Sequence, residues 1–193
     1  MPNALLEKAL LVMEVYHELD REIADFQTIS GLTCQTSCGE CCYTATVEVS
    51  ELEMLPLIFE LQSAGTLDVW YQKAEAAQFS GRCVFYSSSD GCGNCLVYES
   101  RPLLCRLFGF SGNNDKYGHL RLVTCAHIKA LHLKRFGQVE ADVTNGSLRL
   151  PRMADYVMRV SSVEPDLAGQ NATINTAFRR ASERVELYEK FNQ

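Results

Sequence analysis

Long apolar runs and a secretion signal are both missing from this 193-residue sequence. Its N-terminus, MPNALLEKALLVMEVYHELDREIADFQ, has no basic start, no unbroken apolar segment and no small-residue cleavage site. No other stretch is apolar enough to cross a membrane, so we expect no membrane partner. We expect a protein of the cytoplasm, a reducing compartment where cysteines bind metals or react more often than they form disulfides.

An excess of basic residues is missing as well. The 18 Lys and Arg against 24 Asp and Glu give a net charge of −6, whereas nucleic-acid-binding proteins usually carry a basic face. The basic residues near positions 134 and 180 lie on predicted helices, and we interpret them as solvated helix faces. Ser/His/Asp, paired-carboxylate and P-loop patterns do not stand out either. The sequence therefore indicates no nucleic-acid partner. It does not identify a reaction, a substrate or a protein partner.

Helical periodicity dominates the rest of the chain. Residues 4–28 keep the 3-and-4 apolar spacing of an amphipathic helix, and Ser50 with Glu53 forms a capping box that opens another. Further helices are predicted over residues 66–79, 120–136, 153–160 and 174–191. The strand-like segments CVFYS and CLVY flank a turn-rich stretch over residues 83–98 and predict a short β-hairpin. The segment FSGNND is interpreted as a turn.

This pattern predicts a mainly α fold with a short β-hairpin and a cysteine-rich irregular core, organised by metal as a single domain. We expect an N-terminal helix over residues 1–29 and a cysteine-cluster metal-binding domain over 30–130. A C-terminal helical extension over 131–193 is expected to pack on the same unit.

Nine cysteines are the most informative feature, because a chain of this length buries enough core to fold without cross-links. Two C-x2-C loops occur, Cys38 with Cys41 and Cys92 with Cys95. Such a loop lets two sulfurs converge on one metal, as in zinc knuckles and many iron–sulfur sites. The opposing interpretation, that several thiols are buried small hydrophobes, accounts poorly for the whole set.

The adjacent pair Cys41 and Cys42 suggests more than one metal position. On an extended segment the two side chains point to opposite sides, so they serve two metals, or two atoms of one cluster, more easily than one ion. A disulfide between neighbours would be far from relaxed geometry. Eight thiolates fit two four-coordinate sites, or one cluster with a separate zinc.

Cationic residues lie close to the thiols in sequence. A divalent ion with four thiolates carries a formal charge of about −2. Arg82, Arg101 and Arg106 are therefore predicted to compensate the centre and to lower thiol pKa values. Among the histidines, only His119, in or near a loop, is a candidate ligand. His127 is expected to face away from Cys125, and His17 and His132 are interpreted as surface residues.

These residues resemble the YkgJ-type cysteine-cluster family, bacterial proteins described as zinc- or iron-chelating and sometimes as iron–sulfur proteins. The matching elements are CGECC at residues 38–42 with the preceding Cys34, the Ser50–Glu53 helix start, Cys83, the run CLVYESRPLLCRLF at residues 95–108, and Cys125. The resemblance covers about residues 30–130. Cys92 departs from the pattern as an extra thiol.

The resemblance implies metal chelation by a set of eight cysteines, with zinc, iron or an iron–sulfur cluster as the cofactor. The implied ligands are Cys34, Cys38, Cys41, Cys42, Cys83, Cys95, Cys105 and Cys125. It implies a structural, redox or regulatory metal centre rather than a settled reaction. Whether Cys92 or His119 also binds is left open.

Two other functions are compatible with the same residues. An iron–sulfur oxidoreductase or methyl-transfer enzyme is one, since flagellin lysine methylases have a similar cysteine-rich region and Cys34-x3-Cys38-x2-Cys41 matches the radical-SAM spacing. Against radical SAM, the chain has too few predicted strands for that barrel. The other is a thiol redox sensor with low-pKa cysteines near Arg101 and Arg106, which the neighbouring cysteines disfavour.

Overall fold

The structure of the protein is a computed structural model, and it describes residues 3–35, 38–43, 47–77, 81–89 and 92–192. The first half contains α1 (Ala4–Ser30), a 3-10 turn (Glu40–Tyr43), β1 (Glu48–Ser50), α2 (Glu51–Ser63), α3 (Leu67–Ala76), β2 (Tyr86–Ser89) and β3 (Cys92–Cys95). A second 3-10 turn (Tyr98–Ser100), α4 (Leu103–Leu107), β4 (Ser111–Asn114), β5 (Leu120–Val123), α5 (Ala126–Leu131) and α6 (Leu133–Thr144) follow. The chain ends with α7 (Met153–Val163), α8 (Pro165–Ala168), β6 (Asn171–Thr173) and α9 (Ile174–Phe191). The predicted mainly α, single-domain fold is confirmed.

Helix α2 lies at the centre of the core and is buried on several sides. Its fully buried residues include Leu52, Leu55 and Ile58. It packs against both α1 and α9, the first and last helices of the chain. Helix α1 ends where predicted, because Gly31 takes the left-handed conformation, with φ of 66°, and donates its N–H to Gln27. The two terminal helices are therefore part of the same core as the cysteine-bearing segments.

The predicted hairpin is present but shifted. Strands β2 and β3 pair antiparallel from Tyr86 opposite Cys95 to Ser89 opposite Cys92, and residues 90–91 lie outside the described residues. A second ladder, which the sequence did not suggest, joins β1 to β6 from Glu48 opposite Thr173 to Ser50 opposite Asn171. This ladder attaches the start of α9 to the start of α2.

The helix predicted over residues 120–136 is wrong at both ends. Leu120–Val123 is strand β5, paired with β4 around a turn in which Asp115 accepts hydrogen bonds from the amides of Tyr117 and His119. The segment FSGNND is therefore mostly strand, because this side-chain-closed turn returns the chain antiparallel. Gly137 lies inside α6 rather than at a helix end. Helix α3 ends at Ala76, and residues 78 and 79, the end of its predicted length, lie outside the described residues.

Among the helices that the structure describes, none is long and apolar enough to cross a membrane.

Glu53 connects two helices at the base of the cysteine region. Its carboxylate accepts from the amide and hydroxyl of Ser50, both at 3.0 Å, which completes the predicted capping box of α2. Its second oxygen accepts from the Leu103 amide at 2.9 Å, at the start of α4. Because α4 carries Cys105, this buried carboxylate sets the position of a predicted metal ligand relative to the core helix.

Replacing Glu53 with Gln should therefore lower the free energy of unfolding by about 2 kcal/mol, because the new NH2 group must face a donor. Burial raises the pKa of the Glu53 carboxyl. The folded state thus binds a proton more tightly than the unfolded chain, and this contribution to stability is lost as pH rises through the folded pKa. Urea unfolding should show that pH dependence in the unmodified chain and not in Glu53→Gln.

The control is Glu75→Gln, a matched change at an exposed position of α3. It should leave both the stability and its pH dependence unchanged. Equal losses in the two variants would contradict the capping role of Glu53.

Candidate metal centre

A cavity of about 720 Å³ lies against α1, α2, α4 and the loops that carry the cysteines. Its walls include all eight predicted ligands: Cys34, Cys38, Cys41, Cys42, Cys83, Cys95, Cys105 and Cys125. All eight are free thiols. They come from the loop after α1, the first 3-10 turn, the loop before β2, the end of β3, α4 and the N-cap of α5. The fold thus gathers thiols from distant parts of the sequence.

Cys42 lies at the centre of one group of thiols. Hydrogen bonds to Cys41, Cys83 and Cys95, together with burial, raise the pKa of the Cys42 thiol well above its usual range. The bond from Cys42 lowers the pKa of Cys83 and lowers that of Cys95 to about 7. Cys42 therefore lies within hydrogen-bonding reach of three other thiols.

Cys105 belongs to the same side of the cavity. Burial, reinforced by the neighbouring Cys83, Cys41 and Cys95, raises the pKa of its thiol. Among these neighbours, Cys83 and Cys95 also interact with Cys42. Cys42, Cys83, Cys95 and Cys105 are called the Cys42 group below.

A second group surrounds Cys34. Burial and the adjacent Cys38 raise the pKa of the Cys34 thiol to about 11, and Cys125 and Cys41 also act on it. Cys125 caps α5, accepting from the Ile128 amide at 3.4 Å. Cys34, Cys38, Cys41 and Cys125 are called the Cys34 group, and Cys41 lies where the two groups meet.

The adjacent cysteines are not on an extended segment. They lie in the 3-10 turn Glu40–Tyr43, and the thiols of Cys41 and Cys42 hydrogen-bond to each other. The premise that they point to opposite sides is therefore wrong. A helical turn rotates successive side chains by much less than a strand does, so the two thiols stay in contact while each also reaches a different set of neighbours.

Two glycines bring the C-x2-C loops together. A Cβ atom at Gly39 would lie 3.0 Å from the Cα of Gly93, and 2.2 Å from a ring carbon of Tyr86. Each glycine follows the first cysteine of its loop, in CGEC and CGNC. Any larger residue would separate the loops, so these glycines are structural residues of the site. Neither glycine was predicted as a site residue, although the repeated Cys-Gly pair was the available signal.

Backbone amides also face the sulfurs. Phe85 donates to Cys83 and Val97 donates to Cys95, each from two residues further along the chain. Hydrogen bonds to sulfur favour the thiolate, which is the form that binds metals. These loops are therefore suited to hold anionic sulfur.

Helices outside the cysteine segments hold two of the loops. Buried Asn175 of α9 accepts from the Val84 amide at 2.9 Å and donates to the Arg82 carbonyl at 2.7 Å, on either side of Cys83. His132, predicted as a surface residue, accepts from the amide of Thr33 at 3.1 Å, next to Cys34. Such contacts over 90 or more positions have no local sequence signal.

The three arginines near the thiols have different surroundings. Arg106 is buried and donates to Asp20 and to the carbonyls of Glu99 and Arg101, so it fixes the chain before α4. Arg101 lies closer to the thiols and acts electrostatically on Cys95 and Cys105. Arg82 is exposed. Arg101 thus faces the cysteines, and its guanidinium has no carboxylate partner among the described residues.

The remaining candidates are placed as follows. His119 is exposed in the β4–β5 turn, where its Nδ1 lies 3.6 Å from Oδ2 of Asp115. It does not line the cavity. His127, expected to face away from Cys125, does line it. The backbone of Cys92 begins β3, and its side chain lies outside the described residues.

The thiols are gathered but not arranged around a single point. Within the part of the chain that the structure describes, no three His, Cys, Asp or Glu side chains are placed to hold one metal ion as they stand. The sulfurs instead hydrogen-bond to one another. A metal replaces the protons of those bonds, so the donor set fits zinc or iron chemically once the thiols ionise and turn toward the ion.

Comparison with known proteins gives one match. Residues 33–126 match the family model CxxCxxCC, described as "Putative zinc- or iron-chelating domain". The match spans all eight cysteines of the cavity and confirms the family resemblance of the sequence. No curated protein and no solved structure matches the chain.

Proposed function

We propose that this chain, which over residues 33–126 is similar to the CxxCxxCC model described as "Putative zinc- or iron-chelating domain", binds zinc or iron with the eight cysteines of the cavity. The observation that carries the proposal is the convergence of all eight thiols on one cavity from six segments of the chain. Thiolate is a preferred ligand of zinc and of iron–sulfur clusters. When bound, such a centre supplies structural cross-linking or, with iron, electron transfer.

We assign the ligands to two centres of four thiolates each. The Cys42 group supplies one and the Cys34 group the other, with Cys41 and Cys42 on either side of the boundary. Four thiolates satisfy the coordination of a structural zinc or of an iron–sulfur cluster. The contacts of Cys42 with Cys83 and Cys95, and of Cys34 with Cys38, support this division.

A cytoplasmic location is part of the proposal, because a reducing compartment keeps thiolate ligands available to a metal. Under oxidising conditions, neighbouring thiolates such as these would be expected to form disulfides.

The volume of the cavity favours one alternative, an iron–sulfur centre with a redox or methyl-transfer role. About 720 Å³ is more than two metal ions fill, and an enzyme needs such space for a reactant beside its cluster. Metal identity separates the two candidates.

The test is metal and acid-labile sulfide analysis of the full-length protein purified without oxygen, followed by alkylation and mass spectrometry. We expect zinc or iron in stoichiometric amount, with the eight cavity cysteines protected and Cys92 modified. Zinc without sulfide indicates the chelating module, and iron with sulfide indicates the cluster. Metal-replete protein that lacks both metals, with nine equally reactive thiols, would refute the proposal.

A further inference from the structure

Arg101 presents unused hydrogen-bond donors to the cavity. Its Nε is buried without a hydrogen-bond partner, and the described residues place no carboxylate on its guanidinium. Arg106, on the next turn of the same segment, is by contrast bound by Asp20 and two carbonyls. A buried donor left unpaired is costly, so the wall at Arg101 is suited to an acceptor that the protein itself does not provide.

The guanidinium of Arg101 contacts the ring of Tyr98. The Arg101 Cζ lies 3.6 Å from the centre of the Tyr98 ring. Stacking occupies the face of the guanidinium and leaves the in-plane N–H groups free. Those groups form the planar fork that binds a carboxylate or a phosphate through two parallel hydrogen bonds.

The rest of the cavity wall is largely apolar. Met54, Leu57, Phe110 and Ile128 line its interior. Tyr98 and Phe108, both about half exposed, line it as well and remain open to solvent. A cavity of 300–1,000 Å³ with apolar walls and a few polar groups is typical of small-molecule sites, and the volume here lies in that range.

We propose that the cavity binds a small organic anion beside the thiols. Its oxyanion group, a carboxylate or phosphate, pairs with Arg101, and its apolar body lies against the half-exposed rings of Tyr98 and Phe108. Such a ligand would lie next to Cys95 and Cys105 and thus beside the proposed Cys42 group centre. The inference extends the proposed function but does not depend on which metal is bound.

The experiment must distinguish binding of an anion by Arg101 from a competing role of this residue. The guanidinium acts on Cys95 and Cys105, so metal-bound thiolates could satisfy it without any external anion. The experiment therefore uses the metal-loaded, full-length protein. In that state, only a ligand site retains affinity for an added anion.

The probes are matched pairs of small molecules, benzoate with benzamide and phenyl phosphate with phenol, titrated by ligand-observed NMR. The variants are Arg101→Gln, Arg101→Lys, which keeps the charge but not the fork, and the control Arg82→Gln at an exposed arginine beside Cys83. Metal content is measured on every sample. The two pairs distinguish a carboxylate ligand from a phosphate ligand.

We expect the anionic member of at least one pair to bind about tenfold or more tightly than its neutral partner, consistent with a charge-assisted pair of hydrogen bonds. Arg101→Gln should abolish this preference, Arg101→Lys should weaken it with the metal retained, and Arg82→Gln should keep it. Anions that bind no better than their neutral partners, or a preference that survives Arg101→Gln, would overturn the inference. So would an Arg101→Lys variant that loses metal together with the preference, or that keeps both in full.

Failure of the proposed function is read separately. Chelation by the cysteines is refuted if the protein binds no metal, or if the cysteine variants keep their metal. The preference for anions is measured independently, by NMR in the same samples.

Discussion

Cys42→Ser and Cys41→Ser should each remove about one of two metal equivalents, and they should expose different thiols. Loss of Cys42 should make Cys83, Cys95 and Cys105 reactive while Cys34 and Cys38 stay protected. Loss of Cys41 should do the reverse. The reason is that each four-thiolate site needs all its ligands to hold the ion tightly. Metal analysis with alkylation and mass spectrometry measures both effects.

The matched control is Cys92→Ser, which changes the same atom in the ninth cysteine, the one outside the eight ligands. It should retain all of the metal and the full protection pattern. If Cys41→Ser and Cys42→Ser expose the same set of thiols, the two-centre assignment is wrong and a single shared centre replaces it.

Removal of the metal by a chelator should increase amide hydrogen exchange in the cysteine-bearing segments by about two orders of magnitude or more. The affected residues are 38–43 and 83–107, because the proposed ligands cross-link these segments, which lie far apart in the sequence. Exchange in α1, α2 and α9 should change much less, since these helices share the apolar core. Mass spectrometry with and without chelator measures the difference by segment.

Restoring the metal after chelation is the control, and it should return protection to the same segments. Protection lost evenly over the whole chain would show that the metal stabilises the fold globally. That result would contradict a core formed by the helices and a cysteine region organised by the metal.

Helices that have a regular apolar spacing or a local capping signal were predictable from the sequence. Helix α1 has the required spacing and a glycine stop, and α2 has its capping box, so periodicity and local chemistry agree. The segment after Leu120 was not predictable in the same way. It is apolar and intermittently spaced, but the turn at Asp115 pairs it with β4, and a tertiary pairing of this kind overrides helix propensity.

The candidate site divides along similar lines. The identity of the eight thiols came from spacing and from the family resemblance, and their convergence on one cavity agrees with that expectation. Two kinds of supporting residue did not come from the sequence. Asn175 and His132 act over long separations, and the contact between Gly39 and Gly93 exists only once both loops are folded.

The charge of the region shows why spacing alone misleads. Arg82, Arg101 and Arg106 are equally close to cysteines in sequence. In the fold, Arg106 is committed to Asp20 and backbone carbonyls, Arg82 is exposed, and Arg101 faces the thiols. The packing around the chain before α4 therefore decides which arginine compensates an anionic centre.

X-ray absorption at the K edge of the bound metal counts the atoms around the ion and so tests whether the cysteines bind it. We expect four sulfur neighbours per metal, at about 2.3 Å if the metal is zinc. In the Cys42→Ser protein the remaining ions should still show four sulfurs, since they occupy the Cys34 group. Nearest neighbours that are mainly nitrogen or oxygen would show that the metal is held elsewhere and would contradict the account.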